Sequence, residues 1–428
     1  MLAFLKIHFK ELPMFDFIMD DARRSLRDEA RAFTKWVPKQ MILDMDAEKI
    51  HFPHAYLEEA GRRNLLGIRI PKAFGGRGLK WVDDTIVAEE IGVASYSLAC
   101  LWGVGADIVA EAVCSFGAQK LKEDIVVPLL KGTVYAAEGL TEPRGGSDFF
   151  GATTKAVRDG NGYRLTGQKR FIVGGEGADW FLIYAKTDEN APAHKSITAF
   201  MVPREAGVKS EYLYGLMGVR GGGAARIILK DVYVPDEYIL NKVNGGFDVF
   251  QQMMIPERLG TAAMTIGSVR PALEIATKYT GKRKAFGLPI NAFEAVSFKI
   301  ADSVMLLDAA RSLVYSTALA IDSGTVSPGR CRRMVSECKK FVTEACWDVA
   351  NMAMQTMGGI GYTSVYPLER ILRDMRLSMI WVGTNEIMQY ITQLEWYKEF
   401  AKSISKTDQR DSEADALNAD AVEEKVFE

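Results

Sequence analysis

Ten residues hold the densest chemical potential in the chain: Gly139-Leu140-Thr141-Glu142-Pro143-Arg144-Gly145-Gly146-Ser147-Asp148. Adjacent glycines let backbone N–H groups come close to a bulky anionic ligand, Pro143 fixes a bend, and Thr141, Ser147 and Asp148 can complete the hydrogen bonding. On composition alone the same residues also make an ordinary surface turn. Arg283-Lys284-Ala285-Phe286-Gly287 sets two cations beside an aromatic ring in a charged helix, enough to grip a pyrophosphate and pack a ring system, or only to end a solvated basic helix. Gln355 to Tyr362 (QTMGGIGY) puts a polar head on a glycine-rich turn, and Trp381 to Ile387 (WVGTNEI) follows Arg370, Arg373, Asp374 and Arg376. Asp107 comes just after Gly103 and Gly105, where it can cap a helix or sit on its surface.

The elements that must position these stretches change character along the chain. From Asp16 to Leu130, apolar residues recur at helical spacing in Ala22–Trp36, Tyr56–Asn64, Val82–Ile91 and Ala106–Phe116. After Thr133, short β-branched and aromatic runs take over: Tyr163–Leu165, Trp180–Ala185, Ile197–Val202, Ala225–Leu229 and Val232–Val234, parted by Gly, Pro and Asp. Helical spacing returns at Phe247 and lasts to about Phe400, with Pro256 inside it as a candidate kink and Gly281, Gly287 and Pro289 as breaks. The expected fold class is α+β, with an N-terminal helical domain (16–132), a middle antiparallel β-domain (133–241) and a C-terminal helical bundle (242–400). A short N-terminal extension (1–15) and an acidic tail (401–428), expected to be disordered, flank them.

At 428 residues the chain exceeds one typical core, and a 48% hydrophobic content suits packed lobes. A net charge of −2 gives no bulk attraction to nucleic acid or anionic membrane, so phosphate binding has to be local. No apolar run reads as long enough to span a bilayer. The five cysteines form no CxxC pair and read as reduced thiols of a cytoplasmic protein, and the four histidines show no metal-ligand spacing.

Taken together and in order, the quoted stretches resemble the acyl-CoA dehydrogenase family. The resemblance covers about Phe15 to Phe400, through Thr141–Asp148, Gly167–Val173 (GQKRFIV), Arg283–Gly287, Gln355–Tyr362 and Gly383–Ile387. It implies FAD, an acyl-CoA thioester substrate, electron-transfer flavoprotein as electron acceptor and a homotetramer. Position by position, it implies that Leu140, Thr141, Phe171 and Ile172 lie against the isoalloxazine, with Val173 close to N5. Ser147 would meet the CoA arm. Arg283, Phe286, Gln355, Gly358 and Gly359 would hold the adenosine-diphosphate half, some of them across a subunit interface, and Thr384 and Glu386 would stand near the phosphate and ribityl side. The family often has Ser or Thr at Val173 and Gln at Glu294, so neither of those side-chain contacts is expected here.

Desaturating a thioester needs a base at Cα, a hydride acceptor at Cβ and donors for the carbonyl oxygen, on which charge develops. Many members of the family carry the base immediately before the Gly-Thr of the last motif, where this chain has Val382, which offers only its backbone N–H, beside Gly383. Isovaleryl and long-chain members carry it on an earlier helix directly before an Arg, which matches Glu257-Arg258. Glu257 is the expected base and Arg258 an expected contact for the CoA portion, although a Glu-Arg pair on a helix is ordinarily exposed. Burial against apolar surfaces should raise the pKa of Glu257. Asp107 stands on the helix that lines the acyl pocket in the family. An Asp there resembles the alicyclic branch, which acts on cyclohexane- and cyclohexene-carbonyl-CoA and can use such an Asp for 1,4-elimination. The expected reaction is formation of a 2-enoyl-CoA from a short, branched or alicyclic acyl-CoA, with Asp107 as the alternative base. A flavin-fold protein that binds acyl-CoA without catalysis is the alternative of another class.

Overall fold

The computed structural model describes residues 18–403 except Leu213 and Tyr214; the expected N-terminal extension (1–15) and nearly all of the acidic tail (404–428) lie outside the described residues. The chain begins with helices α1 (Asp21–Trp36), α2 (Lys39–Asp46), α3 (His54–Arg62), α4 (Trp81–Gly92), α5 (Tyr96–Gly103), α6 (Ala110–Phe116), α7 (Gln119–Leu121) and α8 (Val127–Leu130). A π-helical turn, Val104–Val109, joins α5 to α6. The amphipathic α1 buries Leu26, Ala30 and Phe33 and is capped by Asp20, whose carboxylate accepts from the Arg23 N–H.

Helix α4 is buried almost throughout, and its acidic residues are matched one by one. Asp83 meets Arg23 (3.0 Å), Glu90 meets Arg31 (3.1 Å) and Arg270 (3.1 Å), and Glu89 takes Arg270, Arg311 and the Tyr315 hydroxyl. Its first N–H groups, of Trp81 and Val82, donate to Asp322 at the end of a C-terminal helix (2.9 and 3.0 Å). A carboxylate at a helix N-terminus satisfies orphan donors and complements the dipole, so this contact ties the first lobe to the last.

The middle sheet holds eight strands: β1 (Ala136–Gly139), β2 (Lys155–Asp159), β3 (Gly162–Ile172), β4 (Trp180–Lys186), β5 (Ile197–Pro203), β6 (Lys209–Tyr212), β7 (Ala225–Pro235) and β8 (Ile239–Leu240). They run in the order β6-β7-β3-β2-β4-β5-β8, with β1 also on β4. Most neighbours are antiparallel as expected, but β1 pairs parallel to β4, and β2 touches β4 in parallel at Lys155–Lys186. Strand β1 arrives from the helical lobe rather than from a hairpin, which leaves either direction open to it. The runs Ala225–Leu229 and Val232–Val234 form one strand, because Asp231 takes a left-handed φ of 56° without ending the ladder to β3.

The C-terminal bundle comprises α9 (Gly246–Lys282), α10 (Glu294–Asp322), α11 (Pro328–Met357), α12 (Leu368–Ser378) and α13 (Asn385–Ser403). Helix α9 passes through Pro256, Pro271 and Gly281 without a break, corrected from the expected punctuation at Gly281. Packing of buried faces against α4, α10 and α11 outweighs the local cost of proline and glycine. Two stretches of the chain also correct the expectation that no apolar run could span a bilayer. Tyr96–Phe116 and Glu294–Asp322 are long and apolar enough on length and composition, although the first is 89% buried inside the protein. A central helix of a large domain is apolar on every side, which gives it the composition of a membrane span.

Candidate active site

The Thr141–Asp148 loop is built around a buried ion pair. Glu142 and Gly145 exchange backbone hydrogen bonds (3.2 and 3.0 Å) around Pro143 and Arg144, giving the tight turn expected from the proline. The Glu142 side chain then turns inward, away from solvent. Lys169 of β3, fully buried, donates to it at 2.7 Å and to the Tyr184 carbonyl at 2.7 Å. The N–H groups of Thr153 and Thr154 and the Thr153 hydroxyl complete the carboxylate's shell at 2.5–3.0 Å. Burial alone would raise the Glu142 pKa, but Lys169 and these donors hold it at about 2. Burial lowers that of Lys169, and Glu142 opposes the shift. The loop tip, Ser147 included, is left exposed, while Asp148 accepts from the Gly151 N–H (3.0 Å) and caps the next turn.

Beyond Lys169 the ladder to β7 slips before Ile172. Regular alternation would put Lys169 and Phe171 on one face. The bulge breaks that rule: Phe171 takes φ 60° and exposes 45% of its surface, whereas Lys169 and Ile172 are buried. Leu140 and Val173, half-buried, pack at the edge of the same core, and Arg170 donates its N–H to the Thr141 carbonyl (2.8 Å). Leu140, Thr141, Phe171, Ile172 and Val173 are thereby gathered where the loop crosses β3.

Glu257 and Arg258 are both buried, unlike an ordinary Glu-Arg pair on a helix surface. Arg258 turns inward and donates to Ser336 of α11 (3.2 Å), and its guanidinium lies 3.9 Å from where a Cβ on Gly383 would stand. Val382 and Gly383 are successive left-handed residues, φ 58° and 83°, and a Cβ on Gly383 would meet Met388 at 2.8 Å. Lys339 fastens this turn by donating to the Gly383 carbonyl and to Asn385 Oδ1, both at 2.9 Å. Burial and the neighbouring Arg258 bring the Lys339 pKa down to about 7. Thr384 caps α13, its hydroxyl accepting from the Ile387 N–H (3.4 Å), and Glu386 is exposed in the first turn.

The sequence reading missed what faces Glu257. Glu138 of β1 brings its carboxyl within hydrogen-bonding reach, and the Tyr184 hydroxyl donates to Glu138 Oε1 at 3.2 Å. Glu257 Oε1 has no hydrogen-bond donor among the described residues. Burial, then the charge of Glu138, pushes the Glu257 pKa well above the carboxylate range, while Arg258 pulls weakly the other way. Burial likewise lifts Glu138 to about 7. A charged residue inside the apolar run Tyr135–Leu140 was the available clue.

Asp107 is neither a cap nor a surface residue. It is 4% exposed in the π-helical turn, and its Oδ2 lies 3.9 Å from where a Cβ on Gly260 would stand, one helical turn beyond Glu257. It shares a cluster with Asp84, Glu111 and Arg69: Arg69 donates to Asp84 at 3.2 Å, pairs with Glu111 and stacks over Trp81 at 3.7 Å. Burial, then the charge of Asp84, drives the Asp107 pKa well up.

The remaining expected residues lie at the opposite end of the bundle. Arg283 is no longer helical, as it caps α9, and Lys284–Ala285 pairs with Leu288–Pro289 around Phe286 (φ 50°) and Gly287 (φ 82°). Two left-handed residues at the tip of a two-residue hairpin end the helix that composition favoured. Phe286 is 94% exposed. From Glu257 to the end of α9 the helix rises roughly 40 Å. Gln355, Gly358 and Gly359, at the end of α11, are exposed, and nothing stands within 4 Å of either glycine's Cβ direction. One chain therefore separates the Arg283 and Gln355 group from the Leu140, Phe171 and Glu257 group.

Comparison with known proteins matches three consecutive family descriptions: "Acyl-CoA dehydrogenase, N-terminal domain" over residues 20–133, "middle domain" over 137–232 and "C-terminal domain" over 244–393. The chain is similar to the mitochondrial isovaleryl-CoA dehydrogenase of Solanum tuberosum (31% identity, covering 93% of this chain and 97% of that one). It is also similar to the caffeyl-CoA reductase-Etf complex subunit CarC of Acetobacterium woodii (34%, covering 87% and 97%). Among solved structures, butyryl-CoA dehydrogenase from Megasphaera elsdenii superposes with a TM-score of 0.82 at 28% identity, covering 89% of this chain and 99% of that one.

Proposed function

The chain belongs to the acyl-CoA dehydrogenase family of oxidoreductases, and from that premise we propose that Glu257 takes the Cα proton of a short, branched or alicyclic acyl-CoA to give the 2-enoyl-CoA. The observation that carries this reading is the state of Glu257. It is a buried carboxyl with one oxygen lacking a donor among the described residues and a raised proton affinity, in a chain where Val382 offers no carboxylate. A base with a pKa nearer the working pH takes a weakly acidic C–H proton better than an ordinary surface carboxylate does. Backbone N–H groups at Val382 and Gly383, held in a left-handed turn by Lys339, suit the thioester oxygen, on which charge grows as the proton leaves.

The residues present fit FAD. Leu140, Thr141, Phe171, Ile172 and Val173 form an apolar edge with an exposed ring, and Gly358 and Gly359 leave open backbone for a phosphate. When bound, FAD supplies the acceptor for the Cβ hydride. The distance between the two groups supports a cofactor held across subunits of a homotetramer, Arg283, Phe286 and Gln355 coming from a neighbour. Exposed Phe286, Leu288, Phe298 and Met305 supply apolar surface for such contacts. The likeness to an Etf-complex subunit supports electron-transfer flavoprotein as the acceptor. The Asp107, Asp84 and Glu111 cluster, one turn past Glu257, supports short, branched or cyclic acyl groups, because a long apolar chain following α9 would have to pass buried carboxyls. The same placement favours a second reading, in which Asp107 is the base for 1,4-dehydrogenation of a cyclohexene-carbonyl thioester.

The test is the purified protein and its Glu257→Gln variant, followed by bleaching of the yellow absorbance with straight, branched and cyclic acyl-CoAs. Glu257→Gln should keep its cofactor and thioester binding and lose at least ~10²-fold in α,β-dehydrogenation. Near-parental turnover in the variant would move the role to another carboxylate.

A further inference from the structure

We propose that Glu138 is a positioning residue for the reaction: it forms with Glu257 a carboxyl pair that shares one proton and sets the pH at which Glu257 is free to act. The inference rests on Glu257 being the base, as proposed above.

The geometry comes from three elements. Glu138 is the third residue of β1, opposite Leu182 of β4, and strand alternation puts its side chain on the same face as Leu140. Tyr184, two residues along β4 from Leu182, donates its hydroxyl to one Glu138 oxygen at 3.2 Å. The Glu138 and Glu257 carboxyls are electrostatically coupled neighbours, both buried among β1, β4 and α9, and Glu257 Oε1 has no hydrogen-bond donor among the described residues. Two acceptor-only groups facing each other leave a gap that one proton fills, and like charges this close cannot both ionise freely.

The surrounding charges decide where that proton rests. Tyr184 from β4 and Lys169 from β3 favour the anion on Glu138, although Lys169 is already engaged with Glu142. Arg258, beside Glu257 on α9, favours the anion there but is turned toward Ser336. Asp107, one turn further on, adds no positive charge. In the singly protonated pair the proton therefore sits mainly on Glu257, and the Glu138 charge both strengthens that base and delays its ionisation.

The experiment is the pH profile of kcat/KM for parent, Glu138→Gln, Glu138→Asp and Tyr184→Phe, with Glu257→Gln alongside. Glu138→Gln keeps the shape and removes the charge, so the acid limb should move down by at least about one pH unit, the coupling expected of interacting carboxyls. Its plateau rate should fall as the base weakens. Tyr184→Phe should move the limb the same way but less, since an unsupported Glu138 keeps the proton itself; it carries the test if Glu138→Gln does not fold. Glu138→Asp should restore the parental limb. An unshifted limb in both Glu138→Gln and Tyr184→Phe, with Glu257→Gln inactive, overturns the pair and leaves Glu257 as base. Turnover in Glu257→Gln overturns the base assignment instead.

Discussion

Replacing Lys169 by Met is the sharpest test of how the Thr141–Asp148 loop is held. The variant keeps most of the side-chain volume and deletes the cation paired with Glu142, which is 3% exposed. Breaking a buried ion pair from one side leaves an uncompensated charge and typically costs about 3–5 kcal/mol. The loss falls on Glu142 and on the donors gathered around it, the N–H groups of Thr153 and Thr154. Converted at about 1.4 kcal/mol per decade, hydrogen-exchange protection over 141–155 should fall roughly 10²- to 4 × 10³-fold if those amides exchange through local opening. Glu142→Gln in the same background should recover part of the loss, because its amide oxygen still accepts from the Thr153 N–H and hydroxyl and no charge remains to be buried. The pH dependence has a definite sign. Glu142 is held down at about 2, so its contribution is complete above the ordinary glutamate range and is lost as pH falls through the folded value. The difference between parent and Lys169→Met should therefore narrow in acid, where the stranded carboxylate is protonated. Unchanged protection in Lys169→Met, or a double variant no better than the single one, would refute this account.

Three further outcomes are expected. Arg283→Ala should retain FAD more weakly after gel filtration, since a charge-assisted contact to pyrophosphate is lost; full occupancy at low added flavin would count against a role for Arg283. Asp107→Leu should improve turnover of longer linear acyl-CoAs and Asp107→Asn should impair cyclic ones, read from a substrate panel; parental behaviour in both would make the cluster purely structural. Val382→Glu in the Glu257→Gln background should recover measurable dehydrogenation if both positions reach the same Cα, and continued inactivity would show that they do not.

The order of α, β and α regions was legible because periodicity is local: 3.6-residue spacing in α1 and alternation in β7 depend only on which face is buried. The stretches Thr141–Asp148 and Gly383–Ile387 were legible because turns need glycine and proline whatever surrounds them. Charge pairing was not legible. Nothing near Glu138 in the chain announces Glu257, 119 positions away, and nothing near Glu142 announces Lys169. Packing also reversed several local preferences. It kept Pro256 and Gly281 inside α9, and it turned Lys169 inward while a bulge swung Phe171 out. The sequence by itself determined the periods, the turns and the inventory of ionisable groups. Which carboxyls lose their water, and which charge each then meets, was decided only when β1, β3, β4 and α9 packed together, because desolvation and Coulomb coupling depend on distances through space.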